Sequence, residues 1–220
     1  MNNLFKSLVL CIVVVSIKAS MPVTVYYEAL CGDSVHFITR QLYPNYQFVK
    51  DKITLDFVPY GKALHTYNST TDHYTFTCQH GKEECLGNKY QACGLAQIDN
   101  PDTKLEFVVC VMSAYNPGKL EYVKACAERY QVDYHKLVSC ALSREGDKLL
   151  AAHGDRTQEL EPNLYFVPTL VLNNSIVINS DDQDESRQDF MGFLCTRLPH
   201  KPDICNDNTS LFKKVKNFLF

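Results

Sequence analysis

The feature that most constrains this chain is the parity of its cysteines. Ten are present, and the first, Cys11, lies inside a leader-like segment. Residues 1–20 read as a secretory signal peptide: 2–6 is short, polar and carries one positive charge, 8–17 is apolar, and Ala19 and Ser20 are small residues suited to cleavage. The apolar stretch falls well short of the roughly 20 residues a spanning helix needs. The mature chain is therefore expected to begin near Ser20 or Met21 with nine cysteines: Cys31, Cys78, Cys85, Cys93, Cys110, Cys126, Cys140, Cys195 and Cys205. Thiols pair in an oxidising lumen, so an odd number leaves one sulfur over. The fold has to close a set of bridges and keep one thiol out of them.

Position separates Cys31 from the others. The run 23–27 (V-T-V-Y-Y) is β-branched and aromatic and reads as a strand. Cys31-Gly32-Asp33-Ser34 follows directly, and Val35, Phe37, Ile38 and Leu42 then suit a helix expected to end at Pro44. A thiol between a strand and a helix faces the helix N–H groups and dipole, which favour its thiolate, the nucleophilic form. Residues 53–58 alternate as a second strand, so the opening reads as βαβ with a parallel pair. The other reading of Cys31, one more half of a disulfide, lacks this context.

The middle changes character. Residues 65–93 are polar and rich in Thr, Tyr and Cys, and are expected to be loop held by cross-links. Asn100-Pro101 signals a helix start, with Leu105, Val108, Val109 and Met112 on one face. Leu120, Val123 and Ala127 suggest a second helix, and Asp133 caps a third carrying Tyr134, Leu137, Val138, Ala141 and Leu142. Strand character returns over 164–172, turns at Asn173-Asn174 and resumes at 176–178; a last amphipathic helix holds Phe190, Phe193, Leu194 and Leu198. Pro168 is out of place in a strand that otherwise reads as central, unless it sits at an edge or follows a cis bond. With Cys31 it is a candidate site residue.

Between the second strand and the insertion helices stands Cys78-Gln79-His80-Gly81-Lys82-Glu83-Glu84-Cys85-Leu86-Gly87-Asn88, closed by Cys93. It meets every fixed position of C-Q-H-G-x-x-E-C-x-x-N-x-x-x-x-C, and so resembles the gamma-interferon-inducible lysosomal thiol reductase (GILT) family. The likeness extends from V-Y-Y-E-A-L-C at Val25 through Val58-Pro59-Tyr60-Gly61 and Val167-Pro168 to Lys201-Pro202-Asp203-Ile204-Cys205. It implies an α/β, thioredoxin-like fold with a Cys-rich helical insertion: a domain over 21–205, the insertion at about 62–160, and a tail over 206–220. It also implies reduction of protein disulfides in an acidic lysosomal or endosomal lumen, without a bound cofactor.

One departure bears on activity. Family reductases carry C-x-x-C, whereas this chain has Ser34 at the second position. A dithiol site attacks with one sulfur and releases the mixed disulfide with the other. Ser34 cannot perform the release, although its hydroxyl offers a hydrogen bond to the Cys31 sulfur, and Asp33 adds a nearby negative charge that opposes the thiolate. The expected chemistry is monothiol exchange or attenuated reduction, with disulfide-containing proteins as partners and a small thiol such as glutathione or cysteine completing the cycle. The alternative is a non-catalytic, secreted, disulfide-stabilised binding protein on the same scaffold.

The remaining eight cysteines, Cys78, Cys85, Cys93, Cys110, Cys126, Cys140, Cys195 and Cys205, are expected to form four bridges, with Cys195–Cys205 preferred as a local pair. Zinc held by Cys78, His80, Cys85 and Cys93 is the lesser reading, because the spacing is not that of common zinc modules; no metal is expected. A Cys–His hydrolase has no identifiable base, so His36, His65 and His80 read as surface or packing residues, His36 facing solvent. Asn68, Asn173 and Asn208 open glycosylation sequons, consistent with a secreted or lysosomal glycoprotein. With 22 Lys+Arg against 25 Asp+Glu there is no cationic field for a nucleic-acid partner. The cationic-aromatic stretch 211–220 could touch a membrane surface, but a frayed or docked tail is the favoured expectation.

Overall fold

The computed structural model describes residues 20–173, 175–176 and 180–206. Strand β1 (Met21–Tyr27) is buried from Val23 onward, as a central strand must be. The chain then turns into α1 (Gly32–His36), a π-helical segment (Phe37–Leu42) and α2 (Tyr43–Tyr46). This helical run continues past Pro44, where the sequence suggested a stop. The widened turn precedes the proline that lacks an N–H, and Asn45 Nδ2 donates to Gln41 O at 2.7 Å. Strand β2 (Ile53–Pro59) lies parallel to β1, with Val23 opposite Leu55 and Val25 opposite Phe57.

The segment expected to be loop is ordered structure. A hairpin of β3 (Leu64–Asn68) and β4 (His73–Thr77) leads to α3 (Lys82–Leu95). The hairpin alternates only weakly because most of it is exposed. Helix α3 escaped periodicity for the opposite reason: it buries polar Glu84, Asn88 and Gln91 beside Tyr90 and Leu95, so no apolar stripe marks its inner face. Helices α4 (Pro101–Met112), α5 (Leu120–Arg129) and α6 (Tyr134–Ala141) follow the spacing read above, with Asn100 accepting from Thr103 N at 3.0 Å and Asp133 from Lys136 N at 3.1 Å. Helix α7 (Arg144–Gln158) had no sequence reading, since it packs on small residues; a Cβ at Gly154 would lie 2.6 Å from the Tyr60 ring.

Strand β5 (Thr169–Leu172) pairs antiparallel with the free side of β1, Val25 opposite Leu170, and β6 (Ser175–Ile176) closes the sheet in the order β2-β1-β5-β6. The strand expected from residue 164 starts only at Thr169, because Pro168 has no N–H for the ladder. Helix α8 (Ser180–Gln188), too acidic to show a stripe, is tied to β5 by Gln183, which donates to Leu170 O at 2.9 Å and accepts from Leu170 N at 3.1 Å. Helix α9 (Phe190–Arg197) packs Phe190 edge-on against Phe37, centroids 5.4 Å apart, and so seats the helical run that follows Cys31.

The expected signal segment up to residue 19 and the tail beyond residue 206, with Asn208, lie outside the described residues. Among the described residues no helix is long and apolar enough to cross a membrane.

Candidate thiol site

Cys31 sits at the junction of β1 and α1. It is the N-cap of α1, with extended backbone (φ −72°, ψ 120°), and its carbonyl accepts from Val35 N at 3.0 Å. Cys31 is 9% exposed, and its sulfur donates to Val167 O at 3.7 Å. The Val167–Pro168 peptide is cis. The fold thus brings Pro168 and Cys31, far apart in sequence, to the two sides of one turn. Gly32 and Asp33 are exposed, and nothing lies within 4 Å of the position a Gly32 Cβ would take, whereas Cys31 itself is buried.

Ser34 is fully buried below this turn. Its hydroxyl does not serve the sulfur as the sequence suggested: Ser34 Oγ accepts from Glu28 N at 3.4 Å. The next two amides follow suit, Ala29 N donating to Asn88 Oδ1 at 2.9 Å and Leu30 N to Glu84 Oε2 at 3.4 Å. Three consecutive N–H groups therefore go to side chains, where the ladder of β1 has ended and α1 has not begun. Glu84 and Asn88 reach the turn together because residues four apart share a helix face.

Behind the turn lies a buried polar cluster. Glu28 and Glu84 are both fully buried. Glu28 Oε1 accepts from Lys62 N at 2.6 Å, Glu84 Oε1 from His80 N at 3.0 Å, and Glu84 Oε2 pairs with His80 Nδ1 at 2.5 Å. The same imidazole nitrogen lies 3.7 Å from Glu28 Oε2, and Gln79 Nε2, in the amide orientation that satisfies both its ends, donates to that oxygen at 3.2 Å. Gly61 (φ +60°) closes the cluster; a Cβ there would stand 2.3 Å from Glu28 Cγ. Burial pushes the Glu28 carboxyl up to about 7; the Lys62 amide bond opposes this, the Glu84 charge adds to it, and the His80 and Lys62 charges oppose it.

His80, read as a surface or packing residue, is exposed, and its imidazole also pairs with this cluster; His36 is exposed, and His65 bonds the Tyr60 hydroxyl at 2.8 Å. The Glu28, His80 and Glu84 donor atoms lie within 4.8 Å of one another. Each carboxylate oxygen already accepts a protein N–H, so the group is a filled hydrogen-bond network. The zinc set fails as well, since its cysteines are consumed: Cys78 is bonded to Cys85 and Cys93 to Cys140. Cys110 joins Cys126, and Cys195 joins Cys205, the local pair preferred from the sequence. Cys31 is the free cysteine among the described residues.

Asn68 is exposed at the tip of the β3–β4 hairpin, and Asn173 is exposed in the β5–β6 turn. Neither borders the thiol. Glu28, Glu84 and Asn88 were not singled out by chemistry in the sequence. The available signal was the E-x-x-x-N spacing inside the motif, which a helical reading of 82–95 would have placed on one face.

Comparisons with known proteins agree with this architecture. The family model described as gamma interferon inducible lysosomal thiol reductase (GILT) matches residues 22–130. A gamma-interferon-inducible lysosomal thiol reductase-like protein of Anopheles gambiae is 36% identical, covering 93% of this chain and 89% of that one. GILT-like protein 1 of Drosophila melanogaster is 32% identical over 86% of this chain and 80% of its own. Among solved structures, Chlamydia trachomatis DsbA superposes with a TM-score of 0.56 at 12% identity, covering 77% of this chain and 86% of that one. Bacillus subtilis BdbD gives 0.55 at 14% identity, covering 76% and 84%. The structural matches establish the thioredoxin-like fold expected from the sequence. From the signature segment, the fold and these relatives together, the chain belongs to the gamma-interferon-inducible lysosomal thiol reductase family.

Proposed function

We propose that this chain is a single-sulfur thiol oxidoreductase acting on protein disulfides, with Cys31 as its only redox nucleophile. The observation that carries the reading is the placement of Cys31: unpaired among the described residues, at the N-cap of a helix, against Val167 O and next to exposed Gly32 and Asp33. In the first step the Cys31 thiolate attacks a substrate disulfide, forming a Cys31–substrate bond and expelling the second substrate sulfur as a thiolate. In a C-x-x-C site the neighbouring thiol would then release the enzyme. Here Ser34 offers an oxygen, buried and engaged with Glu28 N. Release falls to an external thiolate such as that of glutathione or cysteine, which takes the substrate sulfur into a new mixed disulfide and returns Cys31 as a thiolate. Net reduction is therefore attenuated and rises with small-thiol concentration. The signal-like segment, the sequons and the family favour a secreted or lysosomal setting for a domain over 21–205.

Insulin reduction by wild type, Ser34→Cys and Cys31→Ser, with glutathione varied, tests this. Ser34→Cys is expected to exceed wild type, and wild type to depend more steeply on glutathione. Equal activity of wild type and Ser34→Cys would refute the attenuation. If Cys31→Ser altered neither activity nor capture of mixed disulfides, the non-catalytic binding reading would replace this one.

A further inference from the structure

We infer that Glu84 and Asn88 of the signature segment are positioning residues for Cys31, and that Glu28, lodged against His80 and Glu84, makes their grip on the turn firm in acid and loose above neutrality. The inference deepens the proposed function and rests on it for the role of Cys31. Its own ground is the fate of the backbone amides before the sulfur. Ala29 N is taken by Asn88 Oδ1 at 2.9 Å and Leu30 N by Glu84 Oε2 at 3.4 Å, so the last two peptide units before Cys31 are fixed by α3 and not by the sheet. A turn set by side chains keeps its shape only while those side chains hold theirs.

Glu84 Oε2 serves two donors, Leu30 N and His80 Nδ1, and that imidazole nitrogen is 3.7 Å from Glu28 Oε2. Glu28 meets four polar neighbours: Glu84 and His80 from the signature segment, Gln79 beside them, and Lys62 from the loop after β2. With Glu28 protonated, the fully buried pair of carboxyls avoids placing two like charges side by side. With Glu28 ionised, two fully buried carboxylates face one another, and their repulsion acts on the oxygen that holds Leu30 N. The raised titration of Glu28 puts the change near neutrality. Its companion grip, Lys62 N on Glu28 Oε1, is available to an amide oxygen as well, which makes Glu28→Gln a neutral isostere of the acid form.

The test is amide exchange of the full mature chain, corrected for the intrinsic pH dependence, read on peptides spanning residues 27–34 and compared with α4. With Glu28 at about 7 in the closed state and an ordinary 4.5 when opened, linkage predicts a loss of protection approaching roughly a hundredfold in this stretch between pH 5 and pH 8 in wild type. Glu28→Gln is expected to vary less than about twofold over the same range, and α4 to stay unchanged in both. In parallel, capture of 2,2′-dithiodipyridine by Cys31 at pH 5 should be slowed by about fivefold or more in Asn88→Ala and stay within about twofold of wild type in Glu28→Gln. A flat wild-type exchange profile, the same fall in Glu28→Gln, or normal capture by Asn88→Ala would overturn the inference. If Glu28→Gln did not fold, the wild-type profile and Asn88→Ala would still decide. Neither readout needs reductase turnover, so failure of the insulin assay would leave this result standing.

Discussion

Replacing Glu28 by Gln should change how folding stability depends on pH, by an amount the structure sets. The side chain is fully buried, and its carboxyl is raised from an ordinary 4.5 to about 7, chiefly by that burial. A raised carboxyl means that the folded chain holds its proton more tightly than the unfolded chain. The stability linked to Glu28 is therefore fully present below pH 4.5, declines as pH rises, and is lost above about 7. At 1.36 kcal/mol per pH unit, the interval from 4.5 to about 7 corresponds to about 3 kcal/mol. Glu28→Gln removes the titration and keeps an acceptor for Lys62 N. Urea unfolding of both proteins at intervals from pH 4 to pH 8, disulfides intact, should show their stability difference shifting toward the variant by about 3 kcal/mol as pH rises. A difference that stays constant with pH would refute the reasoning, whatever the absolute stability of the variant.

His153 supplies the opposite slope: burial lowers it to about 4, so stability is lost as pH falls from 6.5 through 4, and His153→Gln should relieve about 3 kcal/mol of that loss in the same titration. Removing the Cys93–Cys140 bridge, which closes 47 residues, should cost about 4 kcal/mol in unfolding measurements, against about 2 kcal/mol for the seven-residue Cys78–Cys85 bridge. A reversed ranking would show that native packing, not loop closure, dominates. Gly94→Ala would put a Cβ 2.4 Å from the fully buried Phe107 ring, so a loss of about 1–3 kcal/mol is expected, and an unchanged denaturation midpoint would show that Phe107 can yield. Alkylation of the mature chain before reduction, read by intact mass, should modify one sulfur, that of Cys31; none or several would contradict the bridge assignment.

What could be read from the sequence is what depends on one side chain or one face. The strand before Cys31, the parallel partner at residues 53–58, the caps Asn100 and Asp133, and the separation of Cys31 from eight bridging cysteines each follow from a local rule. The parts that were misread depend on burial of polar groups. Glu84, Asn88 and Gln91 lie on the inner side of α3, where periodicity expects apolar residues, so the helix was taken for loop. Helix α7 buries Gly146, Ala151 and Gly154, and at Gly154 it is small size rather than hydrophobicity that lets Tyr60 approach. His80 lies four residues before Glu84, but its other neighbour, Glu28, comes from the end of a distant strand, and only the fold joins the three. Ser34 was read as a neighbour of the sulfur, whereas its hydroxyl belongs to the backbone of Glu28.

That last bond gives position 34 a structural task apart from any exchange chemistry. Position 34 has a second occupation that any small acceptor can fill: it receives an amide hydrogen that neither sheet nor helix claims. A hydroxyl is a better acceptor than a thiol, so an oxygen at this position serves the turn without taking part in sulfur exchange. The shape of the turn and the redox chemistry of the sulfur beside it therefore draw on different properties of one side chain.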